Sequence, residues 1–289
     1  MRQPFLSARR QRGLTLIELM VSLVIGLAVI GALLAAYMVS FRSSAHNDAM
    51  VQVTEDATMA LSIMRAQASM AGYSQIDHIN FAGQTLVGRD FASAPVFGCA
   101  ASNFGTTQSI RSPAACTGTG SDSLEVAYEV NDGAWGGGSS NAILSGGIPV
   151  DCLGNALNIA PLGYYLADSK FYVKQDGSGN YQLFCQQGTA SAAPLVDNVE
   201  TLSVKYGIGN GSSQIVKYAP ANTADWTRVM SISICVVVRS AVPVFDKTVG
   251  TAKNALDTYV DCSGNTAHST DGRLRRSFST TVLLQNRIL

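Results

Sequence analysis

The sequence predicts an α+β protein in which one long N-terminal helix packs on antiparallel β-sheet. First, an apolar run over residues 14–39 contains a single charged side chain, that of Glu18. Second, apolar and small residues recur at helical spacing as far as residue 71, and no proline or glycine occurs between Ser40 and Ala71. Third, the remainder contains short alternating segments, many turn residues and six cysteines, which suit strands joined by disulfide-stapled loops.

The apolar run is long enough to cross a bilayer as a helix, since its 26 residues exceed the roughly 20 that a membrane core requires. Residues 1–13 contain four arginines and no acid, so the rest of the chain carries a formal charge of −4. A basic flank predicts that the N-terminus stays in the cytoplasm and that the C-terminal bulk is exported. The acidity of the exported part argues against a nucleic-acid surface.

Two simpler interpretations of this N-terminus stay open. A secretory signal could be cleaved near the small residues of segment 32–36, but the apolar run continues beyond them and Glu18 suits such a segment badly. A single-pass anchor explains the length of the run but not the combination of Gly13 and Glu18. An ionisable side chain inside a membrane segment is a functional hypothesis in its own right and requires a partner.

The helix is expected to continue past the membrane and to end at Gly72, a natural helix stop. Its second half is amphipathic, so it must pack on something, most simply a globular domain of residues 73–289. We expect Met50, Met59 and Met64 to pack in the core. The apolar face consists of Val53, Ala57, Ala60, Leu61, Met64, Ala68 and Ala71. The polar face consists of Gln52, Glu55, Asp56, Arg65 and Gln67.

The rest of the chain reads as strands separated by long loops. Residues 73–122 are broken by glycine and proline and are interpreted as loops, and residues 240–276 as a long connection. The first strand alternates cleanly, which predicts one solvent-facing side, whereas residues 228–239 have the pattern of a core strand. The predicted strands are Ser123–Val130, Leu162–Ala167, Lys170–Gln175, Tyr181–Gln186, Val199–Ile208, Gln214–Tyr218, Arg228–Arg239 and Ser277–Leu289.

All six cysteines follow the membrane run and therefore fall on the exported side, where an even number indicates disulfides. We favour sequential pairing because each such pair closes a short loop. Buried free thiols remain the alternative. The proposed pairs are Cys99 with Cys116, Cys152 with Cys185, and Cys235 with Cys262.

No motif for catalysis or metal binding is present, and the three histidines have no paired spacing. The segment Asp176–Asn180 has oxygen ligands at a spacing that suggests calcium, but it lacks the later acidic ligand, so a hairpin turn is favoured. The segment Gly207–Gly211 superficially resembles a glycine-rich phosphate-binding loop. A strand follows it instead of a helix, so a hairpin is favoured. We expect no enzyme activity, no catalytic residue, no metal and no cofactor.

Three arginines stand close together near the C-terminus, at Arg273, Arg275 and Arg276. A nucleic-acid site would require a larger basic surface, and the exported part of the chain is acidic overall. We interpret these arginines as the solvated start of the last strand.

The stretch Gly13-Leu14-Thr15-Leu16-Ile17-Glu18 resembles the type III signal of type IV pilins and of type II secretion pseudopilins. The resemblance implies a pilin-like fold with a cytoplasmic leader of residues 1–13, a helix over 14–72 and a periplasmic domain over 73–289. It also implies that prepilin peptidase cuts between Gly13 and Leu14, that Leu14 is then N-methylated, and that Glu18 acts in subunit assembly. The family usually has phenylalanine where this chain has Leu14, which bears on methylation more than on cleavage.

Elementary electrostatics supports that role for Glu18. Cleavage would create a positive amine at Leu14, and a neighbouring subunit shifted along a filament would bring its own amine near Glu18. A buried charge without a partner costs about 3–5 kcal/mol, so the pairing would fix the stacking register of subunits. The alternative is a carboxylate that faces lipid headgroups.

Segments Leu195–Leu202, Val229–Arg239 and Phe278–Leu289 resemble PilW-type minor pilins and, as the first alternative, the J-type minor pseudopilins of type II secretion. The length of the chain favours the former. The resemblance implies a low-copy subunit that primes pilus assembly at the fibre tip and supports adhesion, twitching motility or DNA uptake. Implied partners are other minor pilins, the major pilin, prepilin peptidase and the inner-membrane assembly platform.

The implied location is the inner membrane, crossed once with the C-terminal domain in the periplasm, and later the pilus fibre on the cell surface. A second alternative is an anchored periplasmic binding or adhesive domain that never enters a filament. Loss or retention of the leader in the mature protein would distinguish these possibilities.

Overall fold

The computed structural model describes residues 15–74, 76–77, 88–89, 94–104, 116–130, 144–145, 148–149, 151–157, 165–211, 214–244 and 258–287. The helix α1 spans Leu16–Met70. Short 3-10 helices in the described part span Ala221–Thr223, Trp226–Arg228 and Gln285–Arg287. The strands are β1 Ile76–Asp77, β2 Gly88–Arg89, β3 Val96–Cys99, β4 Ser123–Val130, β5 Leu144–Ser145, β6 Ile148–Pro149, β7 Tyr165–Gln175, β8 Tyr181–Gln187, β9 Ala193–Asp197, β10 Val199–Gly209, β11 Ile215–Ala219, β12 Val229–Arg239, β13 Thr258–Val260, β14 Thr266–His268 and β15 Arg275–Leu283.

The chain divides into two compact units, Met1–Asp48 and Ala49–Leu289. The described part of the N-terminal unit is the first half of α1, whose large apolar side chains are exposed. Among the described residues, α1 is long and apolar enough to cross a membrane, with a mean hydropathy of 2.7 over its most apolar 18-residue window.

In the C-terminal unit, the second half of α1 packs through small side chains. Val53, Ala57, Ala60, Met64 and Ala68 on its inner face are fully buried. These positions recur every three or four residues, so they form one stripe along the helix, as the sequence predicted. Small residues in this stripe allow the sheets to approach the helix backbone closely.

One expectation about this half of the helix is wrong. Met59 is 52% exposed and does not pack in the core, because it lies away from the buried stripe. Two side chains of the polar face accept hydrogen bonds from the rest of the C-terminal unit. Gln67 Oε1 accepts hydrogen bonds from Tyr128 Oη at 3.1 Å and from Ser169 Oγ at 3.2 Å. Asp56 Oδ2 accepts one from Asn198 Nδ2 at 3.1 Å.

The helix ends where glycine allows a left-handed turn. Gly72 has a φ of +81°, and its N–H leaves the helix to donate to the carbonyl of Ala127 at 3.0 Å. Asn286 Nδ2 donates to the carbonyls of Met70 and Ala71 at 3.2 and 3.3 Å. The last turn thus has partners for carbonyls that a helix leaves without intrahelical donors.

Among the described strands, five form an antiparallel sheet in the order β3-β4-β7-β8-β9. Every residue of β4 is buried, so the expectation of a solvent-facing side is wrong. The polar positions of β4 have buried partners instead. Glu125 lies 3.7 Å from Lys170 Nζ, and Ser74 Oγ donates to Glu129 Oε2 at 2.8 Å.

The strand β7 is continuous, whereas the sequence predicted two strands separated at Asp168 and Ser169. That prediction is wrong because this polar pair lies inside the sheet. Both residues are buried, and β7 pairs without interruption with β4. The β7–β8 hairpin closes at Asp176–Asn180, as expected.

The four-stranded sheet has the order β11-β10-β12-β15, also antiparallel. The predicted core strand is confirmed as β12, and β10 and β11 form the expected hairpin. The last strand ends at Leu283 and not at Leu289, because a 3-10 helix follows. Two segments interpreted as loops contain strands that the sequence did not reveal, namely β3 and the β13–β14 hairpin.

A five-residue turn of sequence Asp-x-x-Gly-Asn occurs at Asp151–Asn155, Asp176–Asn180 and Asp261–Asn265. In each, the aspartate Oδ1 accepts two backbone N–H groups at 2.8 Å, and the glycine has a φ between +79° and +86°. Two of these turns carry a cysteine in second place. The repeat is visible in the sequence, where aspartate, glycine and asparagine recur at the same spacing.

One continuous apolar core joins the second half of α1 to both sheets. The predicted α+β class, with a long N-terminal helix packed on antiparallel sheet, is confirmed. The largest fully buried apolar side chains are those of Tyr206, Phe171, Met64, Leu124, Leu183, Leu202, Ile232, Ile234, Leu274 and Leu284.

Candidate functional site

Glu18 lies in the first turn of α1, three residues after Thr15. Its N–H faces the carbonyl oxygen of Thr15 at 3.1 Å and Thr15 Oγ1 at 3.4 Å. Threonine three residues before glutamate is the spacing of a capping box, and a carboxylate in the first turn also complements the helix dipole. The spacing of Thr15 and Glu18, which can be read from the sequence, is thus typical of a helix start.

The surroundings of Glu18 are apolar and open. Leu16 is 78% exposed and Ile17 is 70% exposed. Among residues 15–41, Glu18 is the one side chain that carries a formal charge. The segment thus presents an apolar surface with a single carboxylate near its start, which is unfavourable in water and suits a lipid or protein environment.

Gly13 and Leu14, the predicted cleavage and methylation positions, lie outside the described residues. Their roles therefore stay predictions based on the sequence motif.

The six cysteines form three disulfides, in the same sequential pairs that the sequence suggested. Their Cα atoms lie 5.6 Å apart for Cys99–Cys116, 6.5 Å for Cys152–Cys185 and 5.8 Å for Cys235–Cys262. Each bond ties a loop or turn to a strand: the first to β3, the second to β8 and the third to β12.

The C-terminal arginines form a structural clamp, so the interpretation of Arg275 as solvated is wrong. Arg275 is 8% exposed, and its guanidinium donates to Glu200 Oε2 and to Asp271 Oδ1, both at 2.6 Å. Burial alone would raise the pKa of Asp271, but hydrogen bonds from Arg275 and from the N–H of Arg273 bring that pKa well below its usual range. Arg273 Nη1 also donates to the carbonyl of Ser240 at 2.8 Å.

The described residues contain no group of three or more histidine, cysteine, aspartate or glutamate side chains placed to hold a metal ion. The carboxylate of Asp176, which suggested calcium, is occupied by the N–H groups of Ser178 and Asn180, and these bonds hold its pKa below the usual range. His46 and His268 belong to different elements, and His78 lies outside the described residues.

Comparison with known families gives two matches on this chain. Residues 170–286 match the family described as Type IV Pilus-assembly protein W, and residues 8–34 match the prokaryotic N-terminal methylation motif. Together, the two matches support a type IV pilus minor pilin with a PilW domain. The PilW match starts within β7 and runs through the whole four-stranded sheet to the last 3-10 helix.

Among solved structures, a type IV-like pilin of Thermus thermophilus is similar to this chain. It is 11% identical, with a TM-score of 0.40, and the alignment covers 81% of this chain and 98% of that chain. A comparison with curated proteins found no match. The family matched by residues 170–286 is thus described by its part in pilus assembly.

Proposed function

We propose that this minor pilin primes or joins type IV pilus assembly, near the fibre tip, after prepilin peptidase cuts between Gly13 and Leu14. The observation that carries the proposal is the exposed apolar half of α1 with Glu18 near its start. A membrane and then a filament core would bury this surface in succession.

In the proposed assembly step, the carboxylate of Glu18 pairs with the N-terminal amine of a neighbouring subunit. Cleavage supplies that amine at Leu14, which N-methylation would leave positive. In apolar surroundings an unpaired carboxylate is costly, so only a register that brings the two charges together is stable. Glu18 would thereby select how subunits stack.

The proposed sequence of locations follows from the same segment. The helix first anchors the protein in the inner membrane, with the C-terminal unit in the periplasm, because arginines precede the apolar run. It then passes into the fibre, where other minor pilins, the major pilin and the assembly platform are the partners. The PilW domain supports this list of partners at the level of its family.

The test separates the charge of Glu18 from its role in the helix cap. Glu18→Gln removes the charge but retains the side chain that a capping box accepts at this position. We expect Glu18→Gln and Glu18→Ala to be cleaved normally and both to lose surface pili. Glu55→Gln, which changes an exposed acid later on the same helix, should leave pilus number unchanged.

Mass spectrometry of the membrane fraction shows directly whether the leader of residues 1–13 has been removed. The proposal requires a mature chain that starts at Leu14. A chain that retains Met1 or Arg2 would contradict it and favour an anchored periplasmic domain. Wild-type pilus numbers in Glu18→Gln would contradict the charge-pairing step, and a deletion that blocks exoprotein secretion but not piliation would indicate a pseudopilin.

A further inference from the structure

Three ionisable side chains of the paired strands β4 and β7 are buried next to one another. Glu125 is 1% exposed, Asp168 is 3% exposed and Lys170 is fully buried. Glu125 stands directly opposite Lys170 in the antiparallel register, and Asp168 stands opposite Ala127. Because side chains alternate along a strand, Glu125, Asp168 and Lys170 project from the same face of the sheet.

Within this cluster the amine approaches a carboxyl group that has free hydrogen-bonding capacity. Lys170 Nζ lies 3.7 Å from Glu125 Oε1 and donates to the carbonyl of Gly188 at 2.7 Å. No donor within the described residues reaches Glu125 Oε1 at hydrogen-bond distance. The Asp168 carboxyl is also a hydrogen-bond partner of Glu125.

The electrostatics favours a neutral acid at Glu125. Burial, together with the charge of Asp168, raises the pKa of Glu125, although Lys170 acts in the opposite direction. The shift favours the protonated form of Glu125. A protonated carboxyl group beside an amine, held together away from water, is the reactant pair for formation of an amide.

We propose that Lys170 and Glu125 condense to an intramolecular isopeptide bond in the folded protein. Asp168 first takes a proton from the ammonium of Lys170. The neutral Nζ then attacks Cδ of Glu125, the Nζ–Cδ bond forms, and the Cδ–OH bond breaks. The hydroxyl leaves as water with one proton from Nζ, and Asp168 ends protonated.

The condensation removes the buried charges of the cluster. Before it, the cluster holds one ammonium and one carboxylate, and after it the cluster holds an amide and a neutral acid. A low-dielectric site disfavours ions strongly, so the product suits its surroundings better than the reactants do. The bond would join two central strands of the five-stranded sheet and would resist reductants that open the disulfides.

The test is the intact mass of the exported chain, purified in detergent, with all cysteines reduced and alkylated. We expect a mass lower by one water molecule than that of the exported sequence, after leader removal and N-methylation are taken into account. Tandem mass spectrometry of a protease digest should find the Lys170 peptide joined to the Glu125 peptide. Lys170→Met should restore the full mass, whereas Lys174→Met, which changes an exposed lysine on the same strand, should keep the loss.

Aspartate followed by glycine can also lose water, by closing to a succinimide, and Asp132, Asp176 and Asp271 are such positions. Hydroxylamine opens a succinimide but leaves an amide intact, so the loss must survive this treatment. A wild-type chain of full mass would overturn the proposal whether or not Lys170→Met folds. So would a water loss that hydroxylamine removes.

Discussion

Arg275, at the start of β15, is held in place by hydrogen bonds to two carboxylates. Its guanidinium contacts both oxygens of Glu200, 75 residues away, in the two-pronged geometry that arginine favours. Asp271 completes the clamp through two further hydrogen bonds. The link connects the start of β15 to β10 across the intervening β12.

We expect Asp271→Asn to lower the free energy of unfolding at pH 7 by about 1 kcal/mol. The estimate is modest because Asp271 is partly open to water, which screens its pairing with Arg275. Its pKa is lower in the folded than in the unfolded protein, so its contribution is fully present above the ordinary aspartate pKa and is lost as the pH falls below that value.

Chemical denaturation at pH 7, 4 and 3, with disulfides intact, measures this dependence. The difference between wild type and Asp271→Asn should shrink towards pH 3. Glu55→Gln, at an exposed acid, serves as the control and should give no such trend. A difference that stays constant with pH would contradict the role given to the Asp271 carboxylate.

Sequence patterns succeed at residues whose role depends on close neighbours. Glu18 could be singled out because it is one acid in an apolar run with a glycine five positions before it. Glu125 could not be recognised as buried, because alternation shows which positions share a face but not what covers that face. The same limit explains why the arginine cluster was interpreted as solvated.

Among the elements, β12 was predictable and β7 was not, for one physical reason. The inner face of β12 carries Ile232, Ile234, Val236 and Val238 at alternate positions, so its pattern has a single interpretation. In β7 the sequence Asp168-Ser169-Lys170 has the composition of a turn, but tertiary pairing overrides it. The short strand β3 contains a glycine, which obscured it.

The closely packed face of α1 yields an element-scale prediction. Ala60 is fully buried, whereas Ala66 is exposed on the same helix. Because alanine and leucine have similar helix propensity, Ala60→Leu and Ala66→Leu should differ only in packing. We expect Ala60→Leu to lower the free energy of unfolding by about 1–3 kcal/mol and Ala66→Leu to leave it nearly unchanged.

Urea denaturation of both variants, monitored by circular dichroism, measures the difference. If Ala60→Leu were tolerated as well as Ala66→Leu, the close packing of the helix on the sheets would be refuted. The comparison is informative even though both substitutions enlarge the side chain, because only one site lacks space.

At the scale of the whole molecule, the buried core begins at Ala49. Within the described residues, no buried side chain precedes it. The buried core of the C-terminal unit therefore begins at the first residue of that unit.

We expect a chain truncated to start at Ala49 to fold cooperatively with its three disulfides, since it retains the complete core. A chain that starts at Leu61 should be strongly destabilised, because it lacks Val53, Ala57 and Ala60. Loss of the buried Val53 side chain alone would lower the free energy of unfolding by about 2 kcal/mol. Thermal unfolding followed by near-ultraviolet circular dichroism distinguishes the two chains, and an unfolded chain from Ala49 would contradict the division.

The repeated Asp-x-x-Gly-Asn turn has a consequence for how the chain acquires its covalent bonds after export. Such a turn depends on contacts within five residues, so it can form in microseconds, long before distant strands meet. In two of the three turns the second residue is a cysteine, Cys152 or Cys262. The turn would therefore hold the thiol in place before the disulfide forms. We expect the choice among competing thiols during oxidation to be guided by these turns before the sheets are complete.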